Sequence, residues 1–253
     1  MGVFHFKKFD VVNERSVMKV NTDGVLLGAA VTLKEGDRRL LDIGTGTGTI
    51  ALMVAQRLAE ILSQAGNDGG HAGNDGVRID AIDIDEPSAT EATMNFRNSL
   101  WHECLQAHNV SLDQFAAASS ETYDLIFSNP PYFENSLTAP NERKSTARHT
   151  SDGLSYRDIF AFANERLAPD GRVTMVLPAD QEHDLCRHAR MIGFHLFRIM
   201  RVRTVPRKSP TRMIVEFSRQ RVSHPCEELL TIQDAGNYTP EYLTLMRDFY
   251  LFA

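Results

Sequence analysis

Arg39-Leu40-Leu41-Asp42-Ile43-Gly44-Thr45-Gly46-Thr47-Gly48 is a short, mostly apolar run that ends in three alternating glycines. Such a run reads as a buried strand. The apolar positions behind it (Ile50, Leu52, Met53, Leu58, Ile61, Leu62) fall at helical spacing. Strand, glycine turn and helix make one βα unit, and the unit recurs. Strands are expected at 77–84, 104–110, 123–128 and 171–177, with helices at 86–99, 156–167 and 180–192. Late strands follow at 194–202 and 213–217. Strands alternating with helices predict an α/β fold, a doubly wound, mostly parallel seven-stranded sheet whose last two strands close it as an antiparallel edge. Ahead of it lies a small N-terminal extension, residues 1–35. There Phe4, Phe6 and Phe9 read as a hairpin arm, and a capped helix starts at Thr22 or Asp23. Residues 36–253 form the main domain.

Glycines after the first strand allow a tight turn and leave room for a ligand against bare amides at the helix start. An overlapping pattern, Gly46-x-Gly48-x-x-Ala51, even fits a dinucleotide fingerprint. Asp42 changes the balance. An acid just ahead of the glycines repels a pyrophosphate, but it favours a cationic amino-acid group, as S-adenosylmethionine carries. A second acid is needed roughly 20 residues on, to meet a ribose. Asp83 lies 35 residues past Gly48, and 21 once the 14-residue tract 63–76 is discounted. That tract duplicates Ala-Gly-Asn-Asp-Gly, contains no core-forming residues and is expected to be a flexible insert. Asp85 is assigned to helix capping.

The strand Tyr123-Asp-Leu-Ile-Phe-Ser128 runs into Asn129-Pro130-Pro131-Tyr132. Two prolines stop strand pairing and stiffen the backbone. Ligands of an open parallel sheet bind at this C-terminal strand edge. The tetrapeptide presents an amide side chain, carbonyl oxygens and an aromatic face, which suits a planar substrate carrying an amino group. The lone pair of a purine's exocyclic amine is drawn into the ring. The Asn129 side-chain oxygen and the Pro130 carbonyl, accepting its hydrogens, localise that lone pair for attack, while Tyr132 stacks on the base. This chemistry requires no metal and no strong general base. A base within a nucleic acid must leave its stack to enter such a site.

The chain has 253 residues, 42% of them apolar, and a net charge of −6. No apolar run is long enough to span a bilayer, the N-terminus lacks a signal-peptide core, and the three cysteines form no CxxC pair. A cytoplasmic protein with neither metal site nor membrane association is expected, a monomer being favoured. The charge is split. Residues 187–221 hold ten Lys/Arg and one acid, a net +9, against −15 elsewhere. This predicts a polyanion-binding edge, with Arg207, Lys208 and Arg212 in its turn. Arg148 lies in a second basic loop after the tetrapeptide, beside His149.

The glycine loop and Asn129-Pro-Pro-Tyr132 together resemble the class I S-adenosylmethionine-dependent methyltransferases, Rossmann-like enzymes that modify amino or amide nitrogens. Phe6-Lys-Lys-Phe9, Met18-Lys-Val-Asn-Thr-Asp-Gly-Val-Leu-Leu-Gly-Ala29 and the terminal segment from Tyr238 to Phe252 are similar to the bacterial valine-tRNA adenine-37 methyltransferases. The resemblance implies that Asp42, Gly44, Gly46, Gly48 and Asp83 hold S-adenosylmethionine, with Asn129 adjoining it. It implies that Asn129, Pro130, Pro131 and Tyr132 hold the target adenine of a tRNA anticodon loop, and that 19–27 form a lid. Ser111 stands where the pattern has an acid contacting the cofactor's adenine, with Asn109 the other candidate. Alternatives are a release-factor glutamine methyltransferase, a non-catalytic RNA-binding relative, and a nicotinamide oxidoreductase, which leaves the tetrapeptide without a role.

Overall fold

A computed structural model of the chain describes residues 2–64, 76–131 and 153–253. Val3–His5 (β1) and Asp10–Val12 (β2) form an antiparallel hairpin. Thr22–Ala30 (α1) follows, capped one residue earlier than expected: the Asn21 Oδ1 accepts from the Gly24 N–H at 2.9 Å. The repeating units then run Arg39–Ile43 (β3), Thr49–Gln64 (α2), Arg78–Asp83 (β4), Glu86–Arg97 (α3), Leu105–Asn109 (β5), Leu112–Ala118 (α4) and Tyr123–Ser128 (β6). After them come Tyr156–Arg166 (α5), Leu167–Pro178 (β7), Glu182–Met191 (α6), His195–Arg203 (β8), Arg212–Ser218 (β9) and Cys226–Thr231 (β10). A two-residue hairpin, Gln233–Asp234 (β11) and Asn237–Tyr238 (β12), leads to Pro240–Met246 (α7).

The expected insert shrinks at its start, because α2 continues through Ser63 and Gln64; residues 65–75 lie outside the described residues. Helix α4 adds to the elements expected from the sequence. It begins with a capping box in which Ser111 and Gln114 each accept the other's backbone N–H.

The main sheet has the order β10-β8-β9-β7-β6-β3-β4-β5. It is parallel except where β9 runs against β7 and β8. The doubly wound arrangement is as expected, with an eighth strand, β10, added parallel to β8. Its acids concealed it: Glu227 and Glu228 reach across to Arg201 and Arg198, so the strand does not show an apolar alternation. Alternate strand residues feed two cores. Leu40, Leu125 and Phe127 pack with α1, α2, α3 and α7, whereas Leu41, Ile126 and Val173 pack with α4, α5 and α6. From β3 the chain winds outward through β4 and β5; from β6 it winds the other way. The carboxyl ends of β3 and β6 therefore flank the topological switch point, where an open α/β sheet has its crevice.

Candidate active site

At that switch point Ile43 lies opposite Ser128, and the Ser128 hydroxyl donates to the Ile43 carbonyl at 2.7 Å. The glycine loop and Asn129 thus leave the sheet side by side, although the bonded pair is 85 residues apart in sequence. Asn129 and Pro130 are buried and Pro131 is exposed. Tyr132, Arg148 and His149 lie outside the described residues.

Gly44, Gly46 and Gly48 take φ values of 73°, 57° and 81°, left-handed values that glycine adopts without a Cβ clash. At Gly48 the space is closed too: a Cβ would sit 2.4 Å from the Phe96 ring of α3. The loop amides are not bare, contrary to the sequence expectation. Gly44 and Thr45 donate to the Ile82 carbonyl at 2.9 and 3.0 Å, and Gly48 donates to the Thr45 carbonyl at 2.9 Å. Gly46 donates to Asp83 Oδ2 at 2.8 Å. With these donors committed to β4 and to the turn itself, the loop is a poor seat for a pyrophosphate, and the nicotinamide reading loses its footing.

Asp42 is fully buried. Its Oδ2 accepts from the Thr45 hydroxyl at 2.8 Å, and its Oδ1 has no hydrogen-bond partner among the described residues. Burial, opposed by the Thr45 bond and reinforced by the Asp83 charge, pushes this carboxyl up to about 7. Asp83 receives a second N–H, from Asp85, on Oδ1 at 2.9 Å, and burial raises its pKa against those two bonds. Asp85 caps α3 through the Ser88 N–H at 3.0 Å, the role assigned to it. Two acids beside a loop with few free donors fit a cationic ligand and not an anionic one.

A pocket is lined by residues 18–21, by the loop from Gly44 to Thr47 and by Asn129. The segment before α1 therefore adjoins the loop. Ser111 is occupied as the α4 cap, and the Asn109 amide donates to the carbonyls of Asp83 and Ile84 at 3.1 and 3.0 Å.

Part of the basic stretch 187–221 is paired with acids outside it. Arg198 pairs with Glu228, and with Glu216 inside the stretch; Arg201 pairs with Glu182 and Glu227. Arg212 is tied to Asp23 of α1 at 2.8 Å, so it fastens α1 to the sheet. Arg207 and Lys208 differ. Both are exposed in the turn joining β8 to β9, and their side chains pair with no acid among the described residues. Because β8 runs parallel to β7 and β6, this turn lies at the sheet edge that carries Asn129. Among the described residues no group of three or more His, Cys, Asp or Glu is placed to hold a metal ion, and no described helix is long and apolar enough to cross a membrane.

No protein-family model matches the chain. A protein of Trichodesmium erythraeum (strain IMS101) is 36% identical over 98% of this chain and 97% of its own. One of Parabacteroides distasonis is 39% identical over 98% of this chain and 97% of its own. One of Serratia proteamaculans (strain 568) is 37% identical over 99% and 90%. Each is named tRNA1(Val) (adenine(37)-N6)-methyltransferase. Among solved structures, a protein of Agrobacterium tumefaciens described as a predicted O-methyltransferase aligns with TM-score 0.62 over 88% of this chain and 95% of its own, at 15% identity. A precorrin-6y C5,15-methyltransferase of Geobacter metallireducens GS-15 aligns with TM-score 0.51 over 82% and 91%, at 11% identity. These two likenesses show the class I methyltransferase fold alone. Identity well above 30% along nearly the whole length places the chain in the tRNA1(Val) (adenine(37)-N6)-methyltransferase family.

Proposed function

We propose that this protein transfers a methyl group from S-adenosylmethionine to the exocyclic N6 amine of adenosine 37, 3′ of the anticodon in a valine tRNA, in the cytoplasm. The observation that carries the reading is the convergence of Asn129 and the Gly44–Thr47 loop in one pocket at the switch point. S-adenosylmethionine supplies an electrophilic methyl carbon on a sulfonium. Asp42 and Asp83, with Gly44, Gly46 and Gly48 allowing close approach, form the half of the site that holds it. Asp42 has no exposed surface, so it acts on a bound cation through its field and through Thr45. Residues 1–35 serve as a cofactor lid on the methyltransferase domain 36–253.

Asn129 and the Pro130 carbonyl accept the two hydrogens of the adenine amine and turn its lone pair toward the methyl carbon. Pro131 and Tyr132 flank the base. With S-adenosylmethionine bound, the amine nitrogen would take the methyl group, S-adenosylhomocysteine would be the leaving group, and the surplus proton would pass to solvent once the nitrogen is cationic. Arg148, Arg207 and Lys208 grip tRNA phosphates, while Arg212 holds the turn in place through Asp23.

The direct test is methylation of tRNA against release factor, read by mass spectrometry of anticodon-loop fragments and of release-factor peptides. N6-methyladenosine at position 37 is expected. Label on a release-factor glutamine, with none on tRNA, would sink the reading. For the basic turn, Arg207→Glu combined with Lys208→Glu is expected to weaken tRNA binding about tenfold or more at moderate salt and to flatten the salt slope by roughly 2, with cofactor affinity unchanged. Filter binding across a salt series checks this, and an unaltered slope removes the turn from the RNA interface.

A further inference from the structure

We infer that Glu91 is a positioning residue, a latch that holds the N-terminal arm in place as part of the cofactor pocket. The inference rests on the reading of that pocket as the cofactor site. Ser88, Glu91 and Asn95 follow one another at helical spacing on a single stripe of α3. All three are buried, at 2%, 2% and 1% exposure. A stripe this deep is ordinarily apolar. Here Ser88 and Glu91 bind the arm that leads from β2 to α1, and Asn95 binds the end of β2 from which it departs.

Glu91 does most of this. Its Oε1 accepts the Glu14 N–H at 2.7 Å and also the Arg15 N–H, and its Oε2 accepts the Ser16 N–H at 2.9 Å. Three consecutive backbone amides thus converge on one carboxylate, which pairs with no cation among the described residues. The Ser88 hydroxyl donates to Asp85 Oδ2 at 2.6 Å and lies 2.8 Å from the Ser16 hydroxyl, whose single proton is shared between Ser88 and the Met18 carbonyl at 3.0 Å. Asn95 accepts the Val12 N–H at 2.8 Å and donates to the carbonyls of Val12 at 3.0 Å and Thr47 at 2.8 Å. The stripe therefore grips the arm and the glycine loop together.

Beyond the latch, the arm reaches the ligand site. Met18, Val20 and Asn21 line the pocket with Gly46 and Asn129. The Met18 Cβ and carbonyl oxygen lie 3.5 Å from where a Gly46 Cβ would stand. Releasing the arm leaves a buried carboxylate and three amides unpaired, so the docked arm and the buried Glu91 depend on each other. Glutamine at this position presents one N–H₂ group to donors that need an acceptor.

The test is calorimetric titration of S-adenosylmethionine and S-adenosylhomocysteine into the wild type, Glu91→Gln and Ser88→Ala, with tRNA binding and steady-state methylation measured alongside. Glu91→Gln is expected to weaken cofactor binding about tenfold or more, and Ser88→Ala about two- to fivefold. The loss should appear in KM for the cofactor, with kcat at saturating cofactor and tRNA affinity near wild type. Global unfolding would lower all of these together. Trypsin should cut at Arg15 and Lys19 faster in Glu91→Gln, and saturating cofactor should slow it. Equal cofactor affinity in the wild type and Glu91→Gln overturns the latch. If Glu91→Gln does not fold, unchanged affinity in Ser88→Ala overturns it. A wild-type protein that binds no S-adenosylmethionine overturns the proposed function and the latch together, whereas normal methylation with unaltered variants removes the latch alone.

Discussion

Asn129→Ala is expected to lower the single-turnover rate of methyl transfer to tRNA by about 10²- to 10³-fold, the range seen when a positioned hydrogen-bonding group is removed from a reacting centre. The reason lies in where the residue stands. Asn129 follows β6 directly, beside the end of β3, and Pro130 and Pro131 prevent the chain from drifting back into the sheet. Its side chain is held in a stiff turn and needs little reorganisation when the base arrives. Without that acceptor the adenine amine keeps its lone pair delocalised into the ring, and orientation by the Pro130 carbonyl alone does not suffice. Cofactor affinity should fall far less than the rate, because the loop and the two acids remain. Asn129 is only 8% exposed, so truncation also destabilises the fold, by roughly 1–3 kcal/mol. Thermal melts with and without cofactor separate that loss from the kinetic one. An alanine variant that methylates tRNA at the wild-type rate removes Asn129 from the chemistry.

Much of the site was legible because its signals are local. The turn at Gly44, Gly46 and Gly48 must take positive φ, and the two prolines after Asn129 must end a strand; each constraint is written in adjacent residues. Counting residues with the insert discounted points to Asp83, which the structure ties to the glycine loop through the Gly46 N–H. What the sequence hid depends on partners distant along the chain. Glu91 binds amides 75 to 77 residues away, and nothing near it marks it as other than one more helix acid. The loop donors read as free because Ile82, which occupies two of them, belongs to the next strand. Net charge likewise leaves out pairing: Arg198 and Arg201 count toward the basic stretch 187–221, yet the acids paired with them stand on β9, β10 and α6. Charge composition locates a basic segment; only pairing shows which cations are left for a polyanion, and Arg207 and Lys208 are among those that remain.

Asp42→Asn separates stability from binding. Burial lifts the Asp42 carboxyl from its ordinary 3.8 to about 7 in the folded protein. A raised folded pKa means that the native state holds the proton more tightly than the unfolded chain. Ionisation of Asp42 therefore costs stability progressively as pH rises from about 4 through about 7, by roughly 4 kcal/mol in all. Asparagine escapes that penalty. The variant should melt above the wild type at pH 8, with the gap closing as pH falls toward 4. Cofactor binding should move the other way. A sulfonium and an ammonium favour the ionised carboxylate, so wild-type affinity for S-adenosylmethionine should climb as pH rises toward 7 and level off above it. The asparagine variant should bind about 10²-fold more weakly at pH 8, with a shallower profile over the same range, since Asp83 remains. Calorimetric titrations from pH 5.5 to 8.5, paired with melts, read both trends. On the proposed function, a carboxylate kept buried at a net loss to the fold acts on the bound cation. If the variant gains stability at pH 8 yet binds S-adenosylmethionine as tightly as the wild type, that account fails, and Asp42 only shapes the turn through Thr45.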